Sequence, residues 1–301
     1  MAPIVVFAYN RVDKIRRCLE SLSTCFGIEQ TDLIVFSDGP KKENDIPRVA
    51  DVREYLKEFQ KQSVFKSVNI VESEINKGLQ KSIIGGVSDV INRYGSVIVL
   101  EDDLVVSKDF IVYMNDGLDY YREKKQYGSI NANTYPVKAL KKYNKDVYVI
   151  RKADCWGWGT WADRWNGVDW DVKDYKHYRK SPIERIKFNS LESGLDKMLC
   201  AQQEGKISSW AVRWVYSLYK RQLLSVYPRV SRAINKGFDG SGEHCETNSK
   251  YEVELYDADK RCVFEELPVD NTMAKAVARY PRRKFKDYCN SIRRKISEYF
   301  K

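Results

Sequence analysis

The chain has 301 residues, of which 43% are hydrophobic and 31% charged, and a formal net charge of +10. No run of about 18 apolar residues occurs, which excludes a membrane-spanning helix. The seven cysteines are scattered without a C-x-x-C pair, which argues against a zinc framework or a disulfide scaffold and fits reduced thiols.

The opening Met1–Val6 lacks the basic region and long apolar stretch of a signal peptide, so a cytoplasmic location is expected. Ile4-Val5-Val6-Phe7-Ala8 reads as a first strand. From Arg11 to Thr24, Val12, Ile15, Leu19 and Leu22 fall on one helical face. Leu33–Phe36 is a second strand running into the turn Ser37-Asp38-Gly39-Pro40. Residues 46–62 read as a charged surface helix, Val68–Val71 as a third strand, and Asn76-Lys77-Gly78-Leu79 opens a helix reaching about Arg93. Val97–Leu100 is a fourth strand. The alternation predicts an α/β fold, with a mainly parallel sheet covered by helices on both faces.

After Lys125 the pattern changes. Short strands are expected at 127–132 and 147–151 and helices around 191–204 and 210–222. A tryptophan cluster lies between them (Trp156, Trp158, Trp161, Trp165, Trp170). Glycine and polar residues crowd 235–248. No linker or internal repeat divides the chain. The expected organisation is one domain over 1–265, with a nucleotide-binding half (1–125) and an acceptor half (126–265), then a basic amphipathic tail over 266–301.

The fourth strand runs directly into Glu101-Asp102-Asp103. One acidic residue there would suit a helix cap. Three like charges at the end of a buried strand repel one another and are costly to dehydrate. A hard divalent cation, Mn²⁺ or Mg²⁺, removes that conflict. Open α/β sheets also place ligands at this edge. Asp103 is the expected direct ligand, with Asp102 facing a sugar or ribose and Glu101 behind them.

Other residues follow strand ends. Asp38 is either an ordinary Asp-Gly turn residue or a ligand for a base or ribose. Asn10 and Arg11 follow the first strand, where an Arg fork suits phosphate. Lys77 can also reach phosphate, and Gly78 lets backbone approach a ligand. No Walker pattern or Gly-x-Gly-x-x-Gly appears, so a glycine cradle is not expected. Glycines between the tryptophans predict exposed ring faces, and Trp158 is the expected sugar platform, set against plain core packing. Asp154 and Asp163 flank the cluster as candidate bases. His244 lies in a glycine-rich loop suited to closing over a ligand, where it would meet a diphosphate or the metal.

The tail carries Arg282-Arg283-Lys284, Lys286 and Arg293-Arg294-Lys295 among Phe285, Tyr288, Ile292, Ile296 and Tyr299. Two readings stand: a helix packed on the body, or one lying on an anionic membrane surface. A nucleic-acid partner is not expected.

Ala2–Arg11, Ser37-Asp38-Gly39 and Glu101-Asp102-Asp103 together resemble the inverting GT-A glycosyltransferases. Within them the chain is most similar to the N-acetylglucosaminyltransferase I family and to bacterial family-2-like sugar transferases. The Trp156–Trp165 segment and Asn235–Gly242 look like the bacterial branch, which builds surface polysaccharides. The likeness spans most of 2–245.

It implies a GT-A (Rossmann-like) fold with an elaborated C-terminal half and metal-dependent transfer from a nucleotide-sugar, a UDP-sugar, to a glycan or lipid-linked acceptor. It also implies Asp103 on the metal and Asn10, Arg11 and Asp38 on the nucleoside. The family often carries an Asp base after a Trp, where this chain has Trp210-Ala211. Alanine accepts no proton, so Asp154, Asp163, Asp239 and Glu243 are the alternatives. A peripheral place on the inner membrane face would suit a membrane-anchored acceptor. The competing functions are a nucleotidyltransferase acting on a sugar phosphate and a non-catalytic carbohydrate binder.

Overall fold

Five residues of β1 (Ile4–Ala8) are all buried, and their side chains alternate between two separate cores. Ile4, Val6 and Ala8 enter one core, while Val5 and Phe7 enter the other. A strand buried on both faces belongs in the middle of a helix-covered sheet, and that is where β1 lies. The computed structural model describes residues 1–237, 253–258 and 260–280.

The first half runs β1, α1 (Val12–Leu22), β2 (Asp32–Ser37), α2 (Ile46–Gln62), β3 (Ser67–Glu72), α3 (Leu79–Tyr94) and β4 (Ser96–Glu101). After β5 (Leu104–Val106) and α4 (Phe110–Tyr121), the second half runs β6 (Tyr127–Asn131), β7 (Val147–Ile150), β8 (Trp158–Trp161) and α5 (Ala162–Trp165). It continues through α6 (Tyr175–Lys180), α7 (Pro182–Leu191), α8 (Leu195–Gln203), α9 (Trp210–Lys220), β9 (Leu224–Pro228), β10 (Ala233–Asn235) and α10 (Asn271–Arg279).

Eight strands form one sheet in the order β3-β2-β1-β4-β8-β6-β9-β7. β3, β2, β1 and β4 pair in parallel, β8 is antiparallel to both of its neighbours, β9 is parallel to β6, and β7 is antiparallel to β9. The expected α/β class therefore holds: a mainly parallel sheet flanked by helices, with an elaborated C-terminal half. Helix α3 lies so close to the sheet that a Cβ on Gly86 would stand 2.9 Å from the Phe7 ring. Glycine is required there.

This topology gathers one set of loops at one edge. The carboxyl ends of β1, β2, β3, β4 and β6 share it, and the residues leading into the antiparallel β8 arrive there too. β5 and β10 pair antiparallel beside this edge, with Asn235 opposite Leu104. That pairing brings the chain past Asp103, where the Lys236 N–H donates to the Asp103 carbonyl at 2.8 Å.

The tryptophans correct an expectation. Trp158 is 1% exposed, and its ring packs 5.4–5.6 Å from Trp165, Trp210 and Trp214. The intervening glycine makes room for neighbours and does not bare ring faces. A Cβ on Gly159 would meet Met114 and the Val97 carbonyl, both at 3.0 Å. Trp158 is therefore a core residue and not a sugar platform. Helix α10 also lies within the stretch expected as tail: Met273 and Val277 are buried against Tyr148, Ile150 and Tyr227.

Candidate functional site

Three groups of polar side chains converge on the shared edge, and their electrostatics differ. The first is the β2 corner. The Asp38 carboxylate accepts backbone N–H bonds from Gly39 (2.9 Å), Lys77 (2.8 Å) and Gly78 (2.8 Å). These bonds tie the loop before α3 to the end of β2. Gly39 is needed for the close approach, since a Cβ there would lie 2.5 Å from the Ile75 carbonyl carbon. Asp38 thus acts first as a loop anchor, and its acceptor capacity is largely taken. Beside it lies a cavity of about 280 Å³ lined by Phe36, Asp38, Val71, Lys77 and Lys81. Lys77 reaches it with its side chain while its backbone holds Asp38.

The second group follows β1. Tyr9 and Asn10 both donate to Asp45, at 2.8 and 3.0 Å. The Asn10 amide, expected on a nucleotide, instead holds the turn before α2. Asp45 is a residue that sequence reasoning missed, because its partners lie 36 and 35 positions away.

The third group is the acidic end of β4. Asp102 and Asp103 are both buried. Arg11 does not point to an open phosphate position; its guanidinium forks onto Asp102 and reaches Asp103 at 3.1 Å. The chain thus supplies its own cation to part of the cluster. Lys14, also buried, donates to the Lys236 carbonyl at 2.9 Å.

The compensation is incomplete. Asp103 Oδ1 is buried and has no hydrogen-bond partner among the described residues. Loss of hydration pushes the Asp102 carboxyl upward against the pull of Arg11, and the Asp103 charge adds to the rise. Glu101 is pushed upward as well, by loss of hydration first and then by the charges of Asp103 and Asp102. Arg11 and the nearby Lys14 both offset the charge of this cluster, and the described chain passes it at Gly237. There a Cβ would stand within contact of the Asp103 carboxylate. Asp239, Glu243 and His244 follow Gly237 in the chain and lie outside the described residues.

The remaining candidate bases are placed elsewhere. Asp154 is 6% exposed, and both of its oxygens are engaged. Oδ2 accepts from Tyr135 (2.6 Å) and Lys152 (2.9 Å), and Oδ1 accepts from the Cys155 N–H (2.7 Å). Lys152 also pairs with Glu192 at 2.6 Å. Burial alone would raise the Asp154 carboxyl, but the Lys152 charge and the hydrogen bond from Tyr135 hold it below the usual range. Asp154 is therefore the centre of a closed ion network rather than a base facing a cleft. Sequence reasoning missed Lys152, Glu192 and Tyr135. The available signal was a Lys and an Asp inside an otherwise buried stretch, 147–154.

Asp163 is excluded by register. β8 pairs Trp161 with Ser96, the first residue of β4. Asp163 therefore sits at the opposite edge of the sheet, about 15–20 Å from the acidic end given the rise of a strand. It is half exposed and pairs with Arg164 and Lys125.

Trp156 is the tryptophan at the functional edge. It is partly buried, against Tyr135 at 6.2 Å between ring centroids. Ala211 lies on α9, whose first turn is capped by the Ser209 hydroxyl accepting from the Val212 N–H at 3.3 Å. No carboxylate stands at that position.

No family model matches the chain, and no curated protein matches it. Among solved structures it is similar to S. aureus TarS 1–349, at 12% identity over 76% of this chain and 60% of that one, with a TM-score of 0.40. The same TarS segment in complex with UDP aligns at 12% identity over 75% and 60%, with a TM-score of 0.37. GalNAc-T7 with UDP, GalNAc and Mn²⁺ aligns at 11% identity over 79% of this chain and 44% of that one, with a TM-score of 0.46. The matched region thus spans from under half to three fifths of these chains.

Proposed function

We propose that the chain is a glycosyltransferase that moves a sugar from a UDP-sugar to a glycan acceptor with inversion at the anomeric carbon, in bacterial surface polysaccharide synthesis. The observation that carries this reading is Asp103 Oδ1, a buried carboxylate oxygen without a partner at the carboxyl edge of a mainly parallel sheet. The end of β4 brings Asp103 there, beside Gly237. A cation-borne diphosphate would satisfy the free oxygen.

The donor set fits Mn²⁺ or Mg²⁺ held together with a nucleotide. Among the described residues no three His, Cys, Asp or Glu side chains converge on one point. An ion held here would use Asp103, with phosphate and water supplying further oxygens as is usual for Mg²⁺. When bound, the ion supplies charge neutralisation for the leaving diphosphate. Arg11 keeps Asp102 and Asp103 in place and limits their mutual repulsion. Lys77 and Lys81, at the cavity beside Asp38, offer positive charge to the nucleotide, and the cavity has room for a base. Of the carboxylates considered as general base, Glu243 and Asp239 remain candidates, both outside the described residues, as is His244. Trp156 replaces Trp158 as the aromatic ring on the acceptor side. A lipid-linked acceptor would place the protein at the inner membrane face.

The test is a UDP-sugar panel assayed for UDP release with and without Mn²⁺. The expected outcome is Mn²⁺-dependent release that Asp103→Ala abolishes. Full activity in that variant overturns the reading. Pyrophosphate in place of UDP would identify a nucleotidyltransferase. Binding of glycan without any metal-dependent nucleotide heat in titration calorimetry would identify a carbohydrate binder.

A further inference from the structure

Helices α6 and α7 carry a surface that neither the fold nor the proposed reaction uses. On α7 the buried residue is Phe188, and the opposite side presents Ile183 and Ile186, 65% and 70% exposed. Two isoleucines so exposed on one turn of a helix are unusual only in their setting. Between residues 173 and 187 there are six basic side chains and two acidic ones. Lys176, Arg179, Lys180 and Lys187 are all exposed.

The acidic residues of this region are paired within the protein. Asp174 accepts from Tyr216 at 2.9 Å and pairs with Lys220 at 2.9 Å. Glu184 accepts from Tyr219 at 3.1 Å and pairs with Lys187 at 3.4 Å. Asp196 on α8 holds Arg185 at 2.8 and 2.9 Å and accepts from Tyr178 at 2.9 Å. Helix α8, joined to α7 by that pair, adds the exposed Met198 and Lys197. This region therefore combines bare apolar side chains with an excess of positive charge over acidic side chains.

We propose that this face of α6, α7 and α8 docks on an anionic lipid bilayer, with Ile183 and Ile186 entering the interfacial layer and the surrounding lysines and arginines meeting lipid phosphates. Charge selects this occupant. A second copy of the chain would set the same basic surface against itself in a two-fold contact. The chain's own residues 281–301 carry Arg282-Arg283-Lys284 and Arg293-Arg294-Lys295 and would be repelled in the same way. Helix α10, which leads into those residues, packs against α7. The Ser193 N–H donates to the Ala278 carbonyl at 3.2 Å. Helix α10, the last described element before residues 281–301, thus lies beside α7. The inference rests on this surface and stands apart from the proposed reaction.

The experiment is flotation of the full chain with vesicles of phosphatidylcholine alone or with phosphatidylglycerol added. Binding to the anionic vesicles only, weakened by salt, is expected. The pair Ile183→Glu with Ile186→Glu, and the set Lys176→Glu, Arg179→Glu and Lys180→Glu, should each lower the bound fraction at least about tenfold. Their melting temperatures should match the wild type, since every one of these side chains is exposed. The proposal is overturned if the wild type ignores anionic vesicles or if both variants bind like the wild type. It is also overturned if light scattering shows a dimer that Ile186→Glu dissociates, or if soluble acidic protein competes the chain off the vesicles.

Discussion

Two buried clusters in this protein have nearly the same ingredients: a pair of carboxylates around one cation. Inside the second half, Lys152 holds Asp154 and Glu192, Tyr135 adds a hydroxyl, and both Asp154 oxygens are engaged. At the end of β4, Arg11 holds Asp102 and Asp103, Glu101 adds a third carboxyl group, and Asp103 Oδ1 has no partner among the described residues. In the interior cluster the Asp154 carboxyl is held low, whereas at the edge Asp102 and Glu101 are pushed up. The interior cluster, in which both Asp154 oxygens are engaged from within, is a structural joint. The edge cluster, which leaves Asp103 Oδ1 unengaged among the described residues, is the one that the proposed function fits to an ion brought from outside. Burial alone would not separate the two, since both sets are dehydrated.

Breaking the interior joint should have the largest effect. Lys152→Met leaves two buried carboxylates without their cation and is expected to lower stability by about 3–5 kcal/mol. Urea unfolding measures it, and millimolar Mn²⁺ should not restore the loss. Arg11→Met tests the edge in the same way with a smaller expected cost, about 1–3 kcal/mol, because that corner meets the loop and solvent. Here added Mn²⁺ should recover much of the loss by mass action. Equal behaviour of the two variants toward Mn²⁺ would erase the distinction between the clusters.

Asp154→Asn sharpens the comparison through pH. A carboxyl whose folded pKa lies below its unfolded value contributes stability above the unfolded pKa. That stability is lost as pH falls through the folded one. The wild type should therefore lose stability steadily below about pH 4, and the Asn variant should show a shallower acid slope in denaturant midpoints taken across that range. The smallest effect belongs to Asp163→Asn. At a half-exposed pair on the far edge, it should change stability by less than about 0.5 kcal/mol and leave the proposed sugar transfer at the wild-type rate. A large loss of turnover would mean that the acceptor approaches from the wrong end of the sheet.

Much of the first half is legible in the chain. Apolar runs such as Ile4–Ala8 and Val97–Leu100 have one stable place, between two layers of helices, and both lie there. The helix expected from Arg11 to Thr24 forms over Val12–Leu22, and the charged surface helix expected over 46–62 forms over Ile46–Gln62. In the second half the reading fails wherever the answer is a partner in space. Trp158 was expected at the surface because glycines flank it, but Trp210 and Trp214 come from a helix some 50 residues later and cover its ring. Arg11 was expected on phosphate because it follows a strand. The residue it meets is 91 positions away. Helix α10 was hidden within an apparent tail because two buried residues, Met273 and Val277, give too short a pattern to stand out among charges.

From the residues alone came the alternation of strands and helices in the first half and the gathering of three carboxylates at the end of β4. Both follow from local patterning: side chains that alternate or recur with the period of the element, and charges adjacent in the chain. Only the tertiary structure decided which charges are neutralised from within, which tryptophan reaches the edge, and which end of the sheet receives Asp163. Those outcomes depend on strand direction and on distances between remote segments. The pairing energy of a charge follows its separation in space, and neither separation nor strand direction is written in the neighbouring residues.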